Sequence, residues 1–176
     1  MTELFQLDYI HLIDGVEPTI QIHNDNRNIF ERYFSNPDEI IKLAQEHKVY
    51  WLNLEDNIYV NGKPAFGECT ANPPGTNFTE SLTYKIALKA DIDSQTKQKE
   101  ILRIKNNFYV SIEENEFYYW LLFHELGHTY TGSGAYYHAG AKVTDETTTL
   151  KFKQEQEKQA EKYCIQLYRQ WKAKEI

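Results

Sequence analysis

Cysteine is scarce in this chain, with two residues, Cys69 and Cys164, among 176. Two cannot make a disulfide framework, and they form no CxxC pair for a zinc finger, so both read as free thiols. Long apolar runs are missing as well. The longest, residues 117–123, is seven residues, against the ~20 needed to cross a bilayer, so no membrane partner is expected. The first residues, MTELFQLDYI, are acidic where a secretory signal is basic and have no apolar h-region, so a cytoplasmic location is expected. Positive charge is in the minority: Lys+Arg 19 against Asp+Glu 26 gives a net charge of -7. Such a molecule repels a phosphate backbone, so direct nucleic-acid binding is not expected. Neither repeats nor low-complexity tracts occur, and the length suits one domain over residues 1–176.

Apolar material for a core is present, at 41% hydrophobic residues and 14% aromatic, which argues against a disordered chain. The early elements are a strand at 19–23, a helix at 28–34, and a helix opened by Ser35-Asn36-Pro37 and running to about residue 47. A strand at 48–54 follows. Asn61-Gly62 between 57–60 and 63–66 predicts a β-hairpin, and 67–78, with Pro73-Pro74-Gly75, predicts a loop. Alternation of Leu82, Tyr84, Ile86 and Leu88 with smaller or polar residues predicts a half-buried strand. Leu102, Ile104, Phe108, Val110 and Ile112 predict a second strand, paired with the first across the polar segment 91–100. Residues 113–116 are acid-rich, as a helix N-terminus favours, and the helix from 117 runs through His128 without a breaker until Gly132 and Gly134. Apolar on nearly every side, it should be buried. A long, charged helix at 150–174 closes the chain. The class is α+β: a small antiparallel or mixed sheet packed on that buried helix and on the C-terminal one.

The buried helix carries His124-Glu125-Leu126-Gly127-His128, the HExxH pattern. Residues four apart on a helix share a face, so His124 and His128 can bind one zinc ion (Zn2+), with Glu125 beside them as general base. The chemistry implied is hydrolysis: zinc polarises a carbonyl and acidifies a water, and a carboxylate handles its proton. A catalytic zinc takes a third protein ligand and leaves one position open. On the last helix, Leu150, Glu157, Ala160, Cys164, Leu167, Tyr168 and Trp171 recur at helical spacing, whereas Glu155 shares a face with Lys158, Gln159 and Lys162. Glu157 is thus the expected third ligand, on a buried stripe where an unpaired carboxylate would be costly. Glu161, one turn on, is expected to accept a hydrogen bond from the far nitrogen of a ligating histidine.

Together, FHELGH on an aromatic-rich helix, a strand at 107–112 before it, and the downstream run Glu157-Lys158-Gln159-Ala160-Glu161-Lys162-Tyr163 resemble the gluzincins. The closest likeness is to the ImmA/IrrE-type metallopeptidases of bacteria, phages and mobile elements. It covers about the C-terminal 80 residues, and the family usually has Asp or Asn where this chain has Glu161. The resemblance implies a zincin-like fold and a zinc-dependent endopeptidase. Its substrate would be a partner protein, such as a DNA-binding repressor of a mobile element or stress response. No helix-turn-helix is evident, so a stand-alone peptidase is expected. Zincins bind substrate as an added strand at a sheet edge, a role that falls here to the strand at 102–112. His138 is the first candidate for stabilising the oxyanion, with Tyr130, Tyr136 and Tyr137 behind it. A latent form capped by a Cys69 thiolate is a further reading. Two other functions fit the same motif: a metal-bearing protein that only grasps a partner, and an antirestriction-type protein of a phage or mobile element. The sequence gives no oligomeric state.

Overall fold

Asn36 sets the first well-defined boundary: its side chain accepts from the Glu39 backbone N–H at 3.3 Å, and Pro37 follows in the first turn. In this computed structural model, residues 7–8, 21–22, 31, 33–72, 83–133 and 146–175 are described. Helix α1 (Pro37–Glu46) therefore starts and ends as its residues predict. Ahead of it, β1 (Leu7–Asp8) pairs antiparallel with β2 (Gln21–Ile22), which falls within the strand expected at 19–23. Of the helix expected at 28–34, only Glu31, Tyr33 and Phe34 are described; Glu31 is helical and Tyr33 lies in a turn.

After Lys48, in the left-handed region at φ 62°, the chain enters β3 (Val49–Glu55). The hairpin of β4 (Ile58–Val60) and β5 (Lys63–Ala65) follows, with Asn61 and Gly62 both at positive φ, as a two-residue I′ turn requires. Residues 67–78 were expected to be loop. Instead β6 (Gly67–Asn72) is a strand, antiparallel to β7 (Thr83–Lys89); residues 73–82 lie outside the described ones. Gly67, Cys69 and Ala71 alternate with Glu68, Thr70 and Asn72, a period-2 signal muted by small side chains and by the prolines behind it. The sheet order is β3-β7-β6, with β3 and β7 parallel. Tyr84, Ile86 and Leu88 on the central strand are fully buried, and Ala87 on the opposite face nearly so, which is more than half-buried.

The second expected strand, at 102–112, is corrected. Residues up to Phe108 belong to helix α2 (Ser94–Phe108), so the segment 91–100 is no hairpin connection and the pair with β7 does not form. Asp93 caps the helix, accepting from the Thr96 N–H at 2.7 Å, and Tyr109 ends it at φ 58° with its N–H bonded to the Lys105 carbonyl. Ile101, Ile104 and Phe108 form the inward face, at helical spacing. Asn106 already broke the alternation that suggested a strand. Only Val110 and Ile112, in the extended stretch after the helix, keep an alternating burial.

A single 3-10 turn, Glu114–Glu116, leads into helix α3 (Phe117–Leu126), whose residues 117–123 are all buried as expected. This helix ends earlier than expected, at Gly127. His128 N–H bonds the Glu125 carbonyl and Thr129 N–H the Leu126 carbonyl, so the last turn tightens before the short helix α4 (Tyr130–Ser133). Helix α5 (Glu146–Glu175) then runs back along α3. Tyr119 stacks on Trp171 with ring centroids 4.3 Å apart, and Trp120 meets Tyr168 edge-on. Glu116, buried at the start of α3, accepts from Tyr168 Oη at 2.8 Å and from Lys172 Nζ at 2.6 Å. The result is α+β: small sheets on one side of a buried helix and a long helix on the other. Among the described residues no helix is long and apolar enough to cross a membrane.

Candidate metal centre

His124 lies in the last turn of α3, and His128 just past its end. The tightened turn keeps both on one face, with ring centroids 5.2 Å apart. Each directs Nε2 at α5, where Glu157 holds Oε2 3.3 Å from His124 and Oε1 3.3 Å from His128. One ligand atom from each of the three can be chosen so that all lie within 4.8 Å of one another. Two imidazole nitrogens and a carboxylate oxygen are the donor set of a three-ligand zinc site with an open fourth position.

Glycine explains why α5 can come so close. A Cβ on Gly127 would lie 2.7 Å from both Cα and O of Ala160, one turn after Glu157. The backbones meet at that point because neither residue brings bulk, and Ala160 is fully buried there. Tyr84 Oη, on the central strand, accepts the Tyr130 N–H at 2.9 Å and so ties the turn after His128 to the sheet.

Glu157 points where the helical stripe predicts, but it is not buried. Its side chain is 58% exposed, because the stripe opens into a cleft at this level. Glu155, expected on the solvated side, is the more covered of the two and pairs with Lys158 at 3.4 Å. Burial pulls the His124 pKa down, but its contact with Glu157 and the nearby Glu125 and Glu161 charges outweigh that and hold it at about 9. Burial likewise opposes ionisation of Glu157, yet the two imidazoles hold its carboxyl well below the usual carboxylate range. Without metal, His124 and Glu157 form a charged pair that, with His128, has the shape of a ligand set.

Glu125 is 94% buried by accessibility, at 6% exposed, and borders the same cleft. Burial pushes its carboxyl pKa up. Strand β6 runs directly over it: a Cβ on Gly67 would lie 2.9 Å from Glu125 Oε2 and 3.0 Å from its Cγ. Glycine at position 67 thus lets the strand approach the carboxylate, which the sequence reading missed and for which a lone glycine gave no signal.

The cleft, about 420 Å³, is bounded by β6, the β4–β5 hairpin, α2, α3 and α5. Glu161 lies in its wall. Among the described residues Glu161 makes no hydrogen bond to either imidazole, although its charge acts on His124. Arg103 and Glu100 also line the cleft and were not foreseen, since both depend on α2 being a helix. Of the oxyanion candidates, His138, Tyr136 and Tyr137 lie outside the described residues. Tyr130 is packed against the core and is not among the cleft residues. Cys69 reaches the cleft; burial pushes its thiol pKa up, and the Glu125 and Glu68 charges add to this. Cys164 is a buried core residue, as expected.

His47 carried no spacing signal, and its role is to hold elements together. Its Nδ1–H donates to the Leu43 carbonyl at 2.7 Å, which leaves Nε2 to accept from Tyr163 Oη at 2.6 Å and ties α1 to α5. A scan against protein-family models, a search of curated proteins and a search of solved structures each return no significant match to this chain.

Proposed function

We propose that the protein is a zinc-dependent endopeptidase of zincin-like fold that cleaves a partner protein. The observation that carries this reading is the convergence of His124, His128 and Glu157 on one point, with the buried carboxylate of Glu125 beside it at the mouth of a cleft. The donor set suits zinc better than magnesium or calcium, which prefer oxygen ligands alone. A bound zinc would polarise the scissile carbonyl and acidify a water.

The chain's own residues supply the rest. Glu125 takes the proton of the attacking water and passes it to the leaving amine; burial raises its pKa, which favours the proton it must hold between the two steps. Gly67 lets β6 close over Glu125 and keep the carboxylate facing the cleft. In the β3-β7-β6 sheet, β6 is the edge strand, and it lines the cleft. It takes over the substrate-docking role expected of 102–112: a peptide added to this edge would present its carbonyls toward the metal ligands. The resemblance to ImmA/IrrE-type peptidases supports a protein substrate such as a DNA-binding repressor.

Incubating wild type and Glu125→Gln with lysate of the native host, and identifying new protein termini, tests the reading. Termini produced by wild type and not by the variant are the expected result. The same termini, or none, from both would leave a protein that only binds.

A further inference from the structure

Besides the metal ligands, the cleft is lined by residues of α2 and of the β4–β5 hairpin side. Trp120 and Leu121, one turn before His124, line it together with Val60, Ala65 and Phe66 of the hairpin side. These give an apolar slot. Glu100, Arg103 and Glu161 line the same cleft. Arg103 is already engaged: Nε and Nη2 donate to Glu100 Oε1 at 2.8 and 2.6 Å. Glu161 is half-buried and, among the described residues, has neither a hydrogen bond nor an ion pair. Burial opposes its charge and the nearby His124 and Arg103 charges favour it, but no donor among the described residues occupies its oxygens, so a ligand's head group can add a bond the free protein lacks.

Resting on the peptidase reading above, we propose that this slot is a substrate subsite selecting a lysine or arginine side chain, whose head group Glu161 receives. The slot fits such a side chain at both ends. The apolar residues would cover an aliphatic stem, and Glu161 would accept from the charged head. A substrate carboxylate would instead meet Glu161 and Glu100, and the guanidinium that could offset them is held by Glu100. Glu68, also on the cleft, adds negative charge. Glu161 is thereby a specificity residue and leaves the bond-breaking step to Glu125.

The test uses zinc-loaded full-length protein and three peptide hydroxamates, which anchor on the metal and need no turnover. They differ at one side chain: lysine, its uncharged isostere norleucine, and glutamate, each placed in turn on either side of the anchor. For wild type, the lysine ligand should bind about 10-fold or more tightly than norleucine at one position, as expected of a charge-assisted bond. In Glu161→Gln that ratio should collapse toward one. No lysine preference in wild type, a preference for glutamate, or equal weakening of all ligands by the substitution would overturn the proposal. Equal weakening would mean that Glu161 only supports the metal ligands. The peptidase reading is judged separately, by cleavage of the matching amide peptides: hydrolysis with no lysine preference sinks the subsite alone. Failure of every hydroxamate to bind the zinc-loaded protein sinks both.

Discussion

Glu125 and Glu157 are both acids near the same two histidines, and their surroundings shift their pKa values in opposite directions. Burial raises the Glu125 pKa, whereas Glu157 sits between two imidazoles that hold it ionised. Glu125→Gln should therefore lower peptide hydrolysis by about 10²-fold or more while the purified protein retains its zinc, as kinetics beside metal analysis will show. Glu157→Ala should do the reverse at the metal, weakening zinc by more than the roughly 10–100-fold that losing an outer-shell partner costs; competition with a chelator measures this. Gly67→Ala separates position from presence. Its new methyl meets the far end of the Glu125 side chain, which can give way, so stability should change little. Turnover should fall by about 10-fold or more because the base is displaced. At this scale the histidines, Glu125 and Glu157 were legible from spacing alone, while Gly67, Arg103 and Glu100 were not. Their roles arise from which elements meet across the cleft, and nothing local in the sequence encodes that meeting.

Among the elements, the crossing of α3 and α5 decides whether a site exists. Gly127 and Ala160 let the helices touch, and Glu116, Tyr168 and Lys172 fix the far end of the same contact. A methyl on Gly127 meets backbone atoms, which cannot rotate away. Gly127→Ala should cost about 1–3 kcal/mol in denaturant unfolding and lower zinc affinity as well, because α5 must retreat with Glu157 on it. Stability unchanged and zinc retained would mean the crossing has slack. The elements themselves were legible where capping or turn chemistry spoke, as at Asn36-Pro37 and Asn61-Gly62. They were misread where periodicity was ambiguous. Ile104, Phe108, Val110 and Ile112 fit alternation, but Ile101, Ile104 and Phe108 fit a helix as well, and the Asp93 cap decided for the helix. Strand β6 escaped notice because Gly67 and Cys69, which line the cleft, are too small to register as a hydrophobic stripe.

For the whole molecule, metal, proton and stability are linked. The folded His124 pKa of about 9 lies above its ordinary 6.5, so its charge stabilises the metal-free protein fully below about pH 6.5 and that share is lost as pH rises through about 9. Glu157 is depressed, so its share is present above about 4.5 and lost as the pH falls below that value. The metal-free pair should thus act most strongly between about pH 4.5 and 6.5. Glu157 is more than half exposed, so the effect should stay within about 1 kcal/mol in thermal melts across pH. On the zinc reading, binding displaces the His124 proton. Calorimetry at pH 7 in buffers of different ionisation enthalpy should show about one proton released per zinc, and affinity should rise with pH up to about 9. Zinc at ~100 times its Kd should add about 2.7 kcal/mol, which for a chain of this size raises the Tm by roughly 5–10 °C.

X-ray absorption at the zinc edge, on purified protein loaded with one equivalent, probes the three-residue site most directly. Wild type should show a four-coordinate nitrogen and oxygen shell at about 2.0–2.2 Å with the outer-shell scattering of two imidazoles, and His124→Ala should show one imidazole fewer. Zinc that binds without imidazole scattering, or a spectrum unchanged in His124→Ala, would contradict the assignment of His124, His128 and Glu157 to a common ion.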